Sequence, residues 1–455
     1  MCIGAALISI TLLSSVNVGV ALFMVGLMLM LLFFEPYVGL IIYIACLYVR
    51  PQDFIAALQE TRLMLVVGGA TVSSMMLRLA SHGRPLKLMR SPVDVIMWWF
   101  LLSVILSHLA HSDLDGALLS GASVFRVVML YFLITNLVTS ERRLSGFTQV
   151  LLIMTVILAV QGIVQYYTGV GIAGQSMDEE RRIQSLAGFG NPNALAMALL
   201  IVLPFAYFDY VGHRDLAPRV YSTLSFVTIM FALYLTNSRG AIVGLAGMSM
   251  ILLLRQFGWV KGSILSVGVM ALLVVFGPSR VSTISTTEPS AYGRILLWDE
   301  GLRLFGSNPL FGIGGELWGS AEFPHTVAHN SFIHCAAELG ILGLLPWVML
   351  ILLSTRWSYF VMGTRNERLS DPVTLTAKKV FFACAAYVLT MIFISKTYNP
   401  LLFIIVGLAS ATTNLFVERS GGRVVLLERK DVFIGLLLTF GGLIAFKVFV
   451  MLTEV

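Results

Sequence analysis

Apolar residues run along this chain in long blocks parted by short polar and basic stretches, and blocks of about 17–25 apolar residues have the length that an α-helix needs to cross a bilayer. The pattern predicts spans near 17–33, 36–49, 62–79, 92–110, 119–138, 145–168 and 193–211. It predicts further spans near 219–236, 241–254, 262–276, 329–355, 379–396, 400–417 and 432–451. The block at 3–15 is too short to stand alone and merges with its neighbour. The expected fold is therefore all-α: a polytopic transmembrane bundle of about twelve to fourteen helices, forming a single integral membrane domain over residues 1–455. Its longest interruption is the loop 277–328, ahead of a helix that starts near His329. No internal repeat or low-complexity tract breaks the pattern.

Composition agrees with the pattern, since 58% of residues are apolar and only 12% charged. A soluble chain of this length would form two or three domains with charged surfaces. The four cysteines, Cys2, Cys46, Cys335 and Cys384, lie in or beside apolar blocks without paired spacing. They predict neither a disulfide framework nor a CxxC metal site. Cys2 lacks the upstream apolar stretch of a lipoprotein signal, and the first apolar block lacks a basic flank. That block is expected to stay as a membrane helix.

Charge sets the orientation. The connections at 78–90, 142–143, 211–219, 255–261, 356–379 and 418–430 hold 19 of the 30 Lys and Arg residues. They share one side when the helices alternate, and a basic side is the cytoplasmic one. The loops around 167–192 and 277–328 then face the periplasm. Nothing in this distribution calls for a nucleic acid partner.

That orientation leaves several arginines on the less basic side. Arg181 and Arg182 sit in the first long loop, and Arg280, Arg294 and Arg303 in the second. Arg126 lies inside the 119–138 span, a few residues from its periplasmic end. Tolerated scatter accounts for Arg280 and Arg303, and Arg126 can either snorkel to the interface or meet an anion. Arg239 is different, because it sits at a tight helix break, Thr236-Asn237-Ser238-Arg239-Gly240. A charge held at that depth is costly unless it meets an anion or a buried carboxylate. The planar guanidinium suits phosphate. Arg182 precedes the turn-rich stretch Gly188-Phe189-Gly190-Asn191-Pro192-Asn193 and is a second candidate for the same anion.

Three histidines cluster at His325, His329 and His334. His329-Asn330-Ser331 opens the apolar run Phe332 to Leu353, so His329 stands at the head of a helix. Asn330 or Ser331 can cap its first turn. An imidazole at a helix mouth can transfer protons, or it can simply make a loop hydrogen bond. His334 and Glu338, one turn apart, are expected to form a hydrogen-bonded pair. No HExxH motif or carboxylate cluster accompanies the histidines, so no metal and no other cofactor is expected. Ahead of them, Tyr292 to Phe305 reads as an amphipathic stretch, either a solvated loop helix or an interfacial helix with Trp298 at headgroup level.

His329-Asn330-Ser331, followed by Glu338-Leu339-Gly340-Ile341-Leu342-Gly343, resembles the hallmark of the O-antigen ligase and O-antigen polymerase superfamily. Asn237-Ser238-Arg239-Gly240, the stretches Arg294 to Trp298 and Asn308 to Gly314, and Arg182 with the turn after it are also similar to elements of that family. The motifs fall in family order over roughly residues 120–350. The stretch from Glu35-Pro36 to Arg50-Pro51 is similar to the branch found near exosortase systems. The resemblance implies a C-type glycosyltransferase of the bacterial inner membrane, surrounded by membrane lipids, with its site facing the periplasm. It would take a glycan from undecaprenyl diphosphate and join it to a hydroxyl of a glycolipid acceptor, such as lipid A core, or of a protein, without nucleotide sugar or metal. Carried over by motif, Arg182 and Arg239 hold the diphosphate, and His329 acts as the general base or otherwise positions the acceptor hydroxyl. Arg126 is carried over without a distinctive motif, and the pair Arg181-Arg182 leaves two candidates for one position. A polymerase that extends the glycan on its own lipid carrier shares all these features. A transporter with an arginine-lined path would usually show duplicated halves, and none is found.

Overall fold

The computed structural model describes residues 35–55, 58, 59, 61–83, 86, 88–178, 180–185, 189–276, 289–320, 327–363, 371–421 and 427–453. The chain divides into two compact units, Met1–Leu86 and Lys87–Val455. The block at 3–15 and the span at 17–33 lie outside the described residues.

In the first unit, α1 (Pro36–Val49) packs against α2 (Leu63–Ser81). Proline is tolerated in the first turn of α1 because its missing N–H would have no helical partner there. The close approach depends on Gly68, where a Cβ would lie 3.0 Å from the Tyr43 ring. Arg78 near the end of α2 reaches Glu35 ahead of α1 at 2.6 Å.

The second unit carries α3 (Pro92–Leu109), α4 (Leu114–Leu137), α5 (Glu141–Thr168), α6 (Pro192–Gly212), α7 (Leu216–Leu235) and α8 (Arg239–Phe276). It continues with α9 (Pro289–Ser307), α10 (Ser331–Gly363), α11 (Pro372–Thr390), α12 (Pro400–Arg419) and α13 (Arg429–Leu452). Side-chain caps at Ser91, Asp113, Ser140, Asn191, Asp371 and Asn399 each accept a backbone N–H from the first turn. Proline follows the cap in four of these helices. Local sequence thus fixes where the helices begin.

Eleven of the described helices are long and apolar enough to cross a membrane, and no strand occurs among the described residues. The all-α polytopic bundle is therefore the observed fold. At 14 residues, α1 falls short of a full crossing. The predicted spans 241–254 and 262–276 form one helical stretch that breaks at Gly258 (φ 76°). The two arms fold back on each other, since a Cβ on Gly262 would lie 2.7 Å from the Leu253 carbonyl oxygen.

Burial orders the bundle: 83% of the most apolar stretch of α6 and 78% of that in α10 and α12 is buried, against 17% in α13. The buried lysine of this core is paired. Lys379 of α11 meets Asp209 of α6 at 2.6 Å, and Gln149 of α5 donates to the same carboxylate at 3.0 Å. A buried charge in a membrane protein is tolerated when it is paired in this way.

One predicted span is wrong in a way that matters. The helix expected over 379–396 ends at Thr390 and passes through a short turn, Met391–Phe393, into non-helical chain that reaches Asn399. Pro400 keeps the chain non-helical at Asn399, because the residue before a proline is driven out of the helical region. Of the polar run Ser395-Lys396-Thr397-Tyr398-Asn399, the first three find partners at the head of α10, Tyr398 reaches Glu338 and Asn399 caps α12.

Candidate active site

His329 adopts a left-handed backbone (φ 51°) just before α10. Asn330 caps the helix, its Oδ1 accepting from Phe332 N at 2.9 Å and Ile333 N at 3.2 Å. Of the two candidate caps, Asn330 is the one used. The Ser331 hydroxyl turns outward, donates to Ile394 O at 2.5 Å and accepts from Lys396 N at 2.9 Å. Asn330 N donates to Ser395 Oγ at 3.3 Å, and Thr397 Oγ1 donates to Ser331 O at 3.2 Å. Tyr387 OH and Trp347 Nε1 donate to the carbonyls of Lys396 and Thr397, both at 3.3 Å. The segment 394–397 is thereby sewn to the head of α10.

His329 itself is half-buried. Burial, and then the charge of Arg294 on α9, push its pKa below the ordinary histidine value. The ring is neutral at pH 7 and can accept a proton.

α10 breaks at Gly340 (φ 59°, ψ −160°). The loop after α9 runs antiparallel across the break. Ile313 N and Gly314 N donate to Ala337 O and Glu338 O at 2.9 and 3.0 Å, and Ile341 N and Leu342 N donate to Pro309 O and Leu310 O at 2.8 and 3.2 Å. The crossing is backbone on backbone: a Cβ at Gly312 would meet Glu338 and Leu339, and one at Gly340 would meet Leu310 and Phe311. The loop's next turn caps the side chain of Glu338, which accepts from Trp318 N at 2.9 Å and from Tyr398 OH at 2.8 Å. The His334–Glu338 contact expected from spacing is present but longer, at 3.5 Å. His334 also meets Thr397 Oγ1 at 3.0 Å and stacks on Trp318, with ring centroids 5.8 Å apart.

The arginines divide into two places. Arg182 is buried, whereas Arg181 is exposed with a left-handed backbone (φ 56°). Arg182 Nε donates to Thr236 O at 3.0 Å and its Nη2 to Asn193 Oδ1 at 2.9 Å, with Asp178 3.6 Å away. Ser238 Oγ donates to the same Asn193 oxygen at 2.8 Å. Arg182 therefore braces the break whose next residue, Arg239, begins α8. Gly240 then packs on the segment after α11, where a Cβ would lie 2.6 Å from Phe393 Cβ. The residues on either side of Arg239 are thus held, Ser238 through Asn193 to Arg182 and Gly240 against Phe393, and Ser395 two residues on bonds Asn330 next to His329.

Arg126 is not tied into that chain of contacts. It is exposed on α4, and its charge acts on Glu316, to whose carboxylate Ser123 donates at 3.0 Å. Burial, followed by the nearby Glu338, holds the Glu316 pKa above the usual carboxylate range, and Arg126 opposes the shift. Arg303 pairs with Glu300 at 2.6 Å on the surface, and Arg280 lies outside the described residues. So do Gly188 and His325. Among the described residues, no group of three or more His, Cys, Asp or Glu side chains could hold a metal ion.

The helix expected over 292–305 exists as α9, and Trp298 on it makes specific protein contacts. Its Nε1 donates to Ala328 O at 2.9 Å, and its ring packs on Phe446 and Phe449 of α13. Gly301 lets α9 close on Trp318 and Ile333. The aromatic side of α9 thus braces the chain just before His329.

Sequence reasoning missed Lys396, Thr397 and Tyr398. The helix assigned to 379–396 absorbed the first of them, although the polar run before Pro400 was a usable signal.

A family model described as O-antigen ligase matches residues 224–348. The match takes in Arg239, Asn308 to Gly314, His329 and Glu338, and it leaves Arg126 and Arg182 outside. No curated protein matches the chain.

Proposed function

We propose, on the match of an O-antigen ligase family model to residues 224–348, that this chain is a glycosyltransferase moving a glycan from undecaprenyl diphosphate to an acceptor hydroxyl at the periplasmic face of the bacterial inner membrane. The observation that carries the reading is that the stretch Phe393 to Ser395 touches both Gly240, next to Arg239, and Asn330, next to the half-buried His329. It sets a fixed cation and a proton acceptor on connected elements. In the reaction His329 takes the acceptor's hydroxyl proton and the freed oxygen bonds to the anomeric carbon. The bond from that carbon to the diphosphate oxygen breaks, and undecaprenyl diphosphate leaves. Arg239 stabilises the charge that develops on the leaving group, while Arg182 holds the Arg239 turn and adds its own positive charge. Arg126 sits with Glu316, and its contribution to the diphosphate is indirect. No step uses a nucleotide or a metal.

The acceptor decides between ligase and polymerase. Purified protein with a lipid-linked glycan is offered lipid A core and a second lipid-linked repeat unit. Ligation predicts glycan on the core, whereas product that lengthens only on undecaprenyl diphosphate means polymerisation.

A further inference from the structure

The segment 394–399 is the part of this region that neither the sequence motifs nor the family match covers. It is held at every position from 394 to 397: Ile394 and Lys396 through their main chain and Ser395 and Thr397 through their hydroxyls are bonded to a residue of α10 or to its cap. Such an array is needed to hold a non-helical stretch, and the bonds to Lys396 all use its main chain. They leave its side chain for another purpose.

The Lys396 ammonium forms no hydrogen bond or ion pair with the described residues. Burial pushes its pKa down, with no neighbouring carboxylate acting to raise it. The nearest acid along α10, Glu338, is engaged by Trp318 N and Tyr398 OH. By contrast, Lys379 and Arg356 elsewhere in the bundle both meet carboxylates. A partly buried cation without a counter-ion is unfavourable on its own, and such strain is kept where a ligand relieves it. The location narrows the ligand. Phe393 touches Gly240 beside Arg239, and Ser395 touches the cap beside His329, so Lys396 is carried on the stretch that joins the two helix heads. Its charge also acts on the His334 ring.

We propose that Lys396 is a further cation of the donor site, its ammonium taking an anionic oxygen of the lipid diphosphate between Arg239 and His329. This rests on the donor reading given above. Lysine suits the position because a compact point charge follows a leaving group as its charge grows, while arginine's planar fork holds one geometry.

The test uses full-length protein in detergent, with undecaprenyl diphosphate as probe and phosphatidylglycerol as competitor. Lys396→Met keeps the length of the side chain and every main-chain bond. It should weaken binding of the diphosphate lipid by about tenfold or more, as for loss of one charge-assisted contact. It should also leave the ligand-free melting temperature equal to or above that of the parent, because an uncompensated charge is removed; a merely structural lysine would lower it. Lys396→Arg should recover most of the affinity. Unchanged binding by Lys396→Met overturns the proposal while the donor reading stands, and so does a fall in melting temperature that Lys396→Arg does not reverse. Displacement of the probe by excess phosphatidylglycerol overturns it too, since Lys396 would then be a general headgroup contact. A parent protein that fails to bind undecaprenyl diphosphate overturns both the donor reading and this inference.

Discussion

Gly340→Ala should disable the protein without touching any polar side chain of the site. At φ 59° and ψ −160° the residue occupies a region essentially reserved for glycine, and an alanine there costs about 1–3 kcal/mol in backbone strain. Its Cβ would also strike the Leu310 carbonyl and Phe311 N. These are backbone atoms of a loop held by four hydrogen bonds of 2.8–3.2 Å, so no flexible side chain can yield. Displacing the loop forfeits several of those bonds at roughly 0.5–1.5 kcal/mol each. Strain and lost bonds together come to about 3–5 kcal/mol, enough to lower the melting temperature in detergent by several degrees. Gly314, Gly315 and Trp318 move with the loop, so Glu338 loses its cap, and glycan transfer should fall by more than about tenfold. Gly306→Ala on α9 is the control, since its Cβ would meet nothing within 4 Å. The assay is thermal melting followed by transfer from lipid-linked glycan. If Gly340→Ala melts with the parent and transfers at the parental rate, the broken-helix crossing does not organise this site.

Four further outcomes are expected. Arg239→Ala should weaken binding of the lipid donor about ten- to a hundredfold, with Arg239→Lys rescuing only part; His329→Ala should leave donor binding near parental but slow single-turnover transfer about a hundred- to ten-thousandfold. Because burial and Arg294 lower the His329 pKa, the neutral base persists into mild acid, so kcat/KM should fall only below the ordinary histidine value near about 6.5. Arg294→Gln should move that acid limb upward, and a limb unmoved by this change would assign the titration to another group. Cysteine placed at Ser320 should react with a membrane-impermeant reagent in intact spheroplasts; labelling only after permeabilisation would reverse the orientation.

Hydropathy made the bundle legible because lipid imposes one length on every crossing, and the caps at Ser91, Asn191 and Asn399 mark starts that the apolar blocks also mark. His329 and Arg239 stood out because charge and imidazole are expensive at helix ends near a bilayer. Other features depend on partners distant in sequence. The crossing of Asn308 to Gly314 over the α10 break was visible as two glycine-bearing motifs, but nothing local says that they bond to each other. Arg182 could be named, yet its bracing of the Arg239 turn through Asn193 required the fold. Trp298 could be named from its place in an amphipathic stretch, but its packing on Phe446 and Phe449, well over a hundred residues later, required the fold. Lys396 was hidden by an apolar average over 379–396 that passed over the polar run Ser395 to Asn399.

The most direct test is transfer itself. Purified protein is mixed with undecaprenyl diphosphate bearing a radiolabelled glycan and with an acceptor glycolipid, in EDTA and without nucleotide. The account predicts that label moves to the acceptor as undecaprenyl diphosphate is released one for one, and that His329→Ala retains bound donor while producing neither. Parental protein that leaves the label on its lipid with every acceptor, or that moves it only when a divalent ion or a nucleotide sugar is added, would contradict the account.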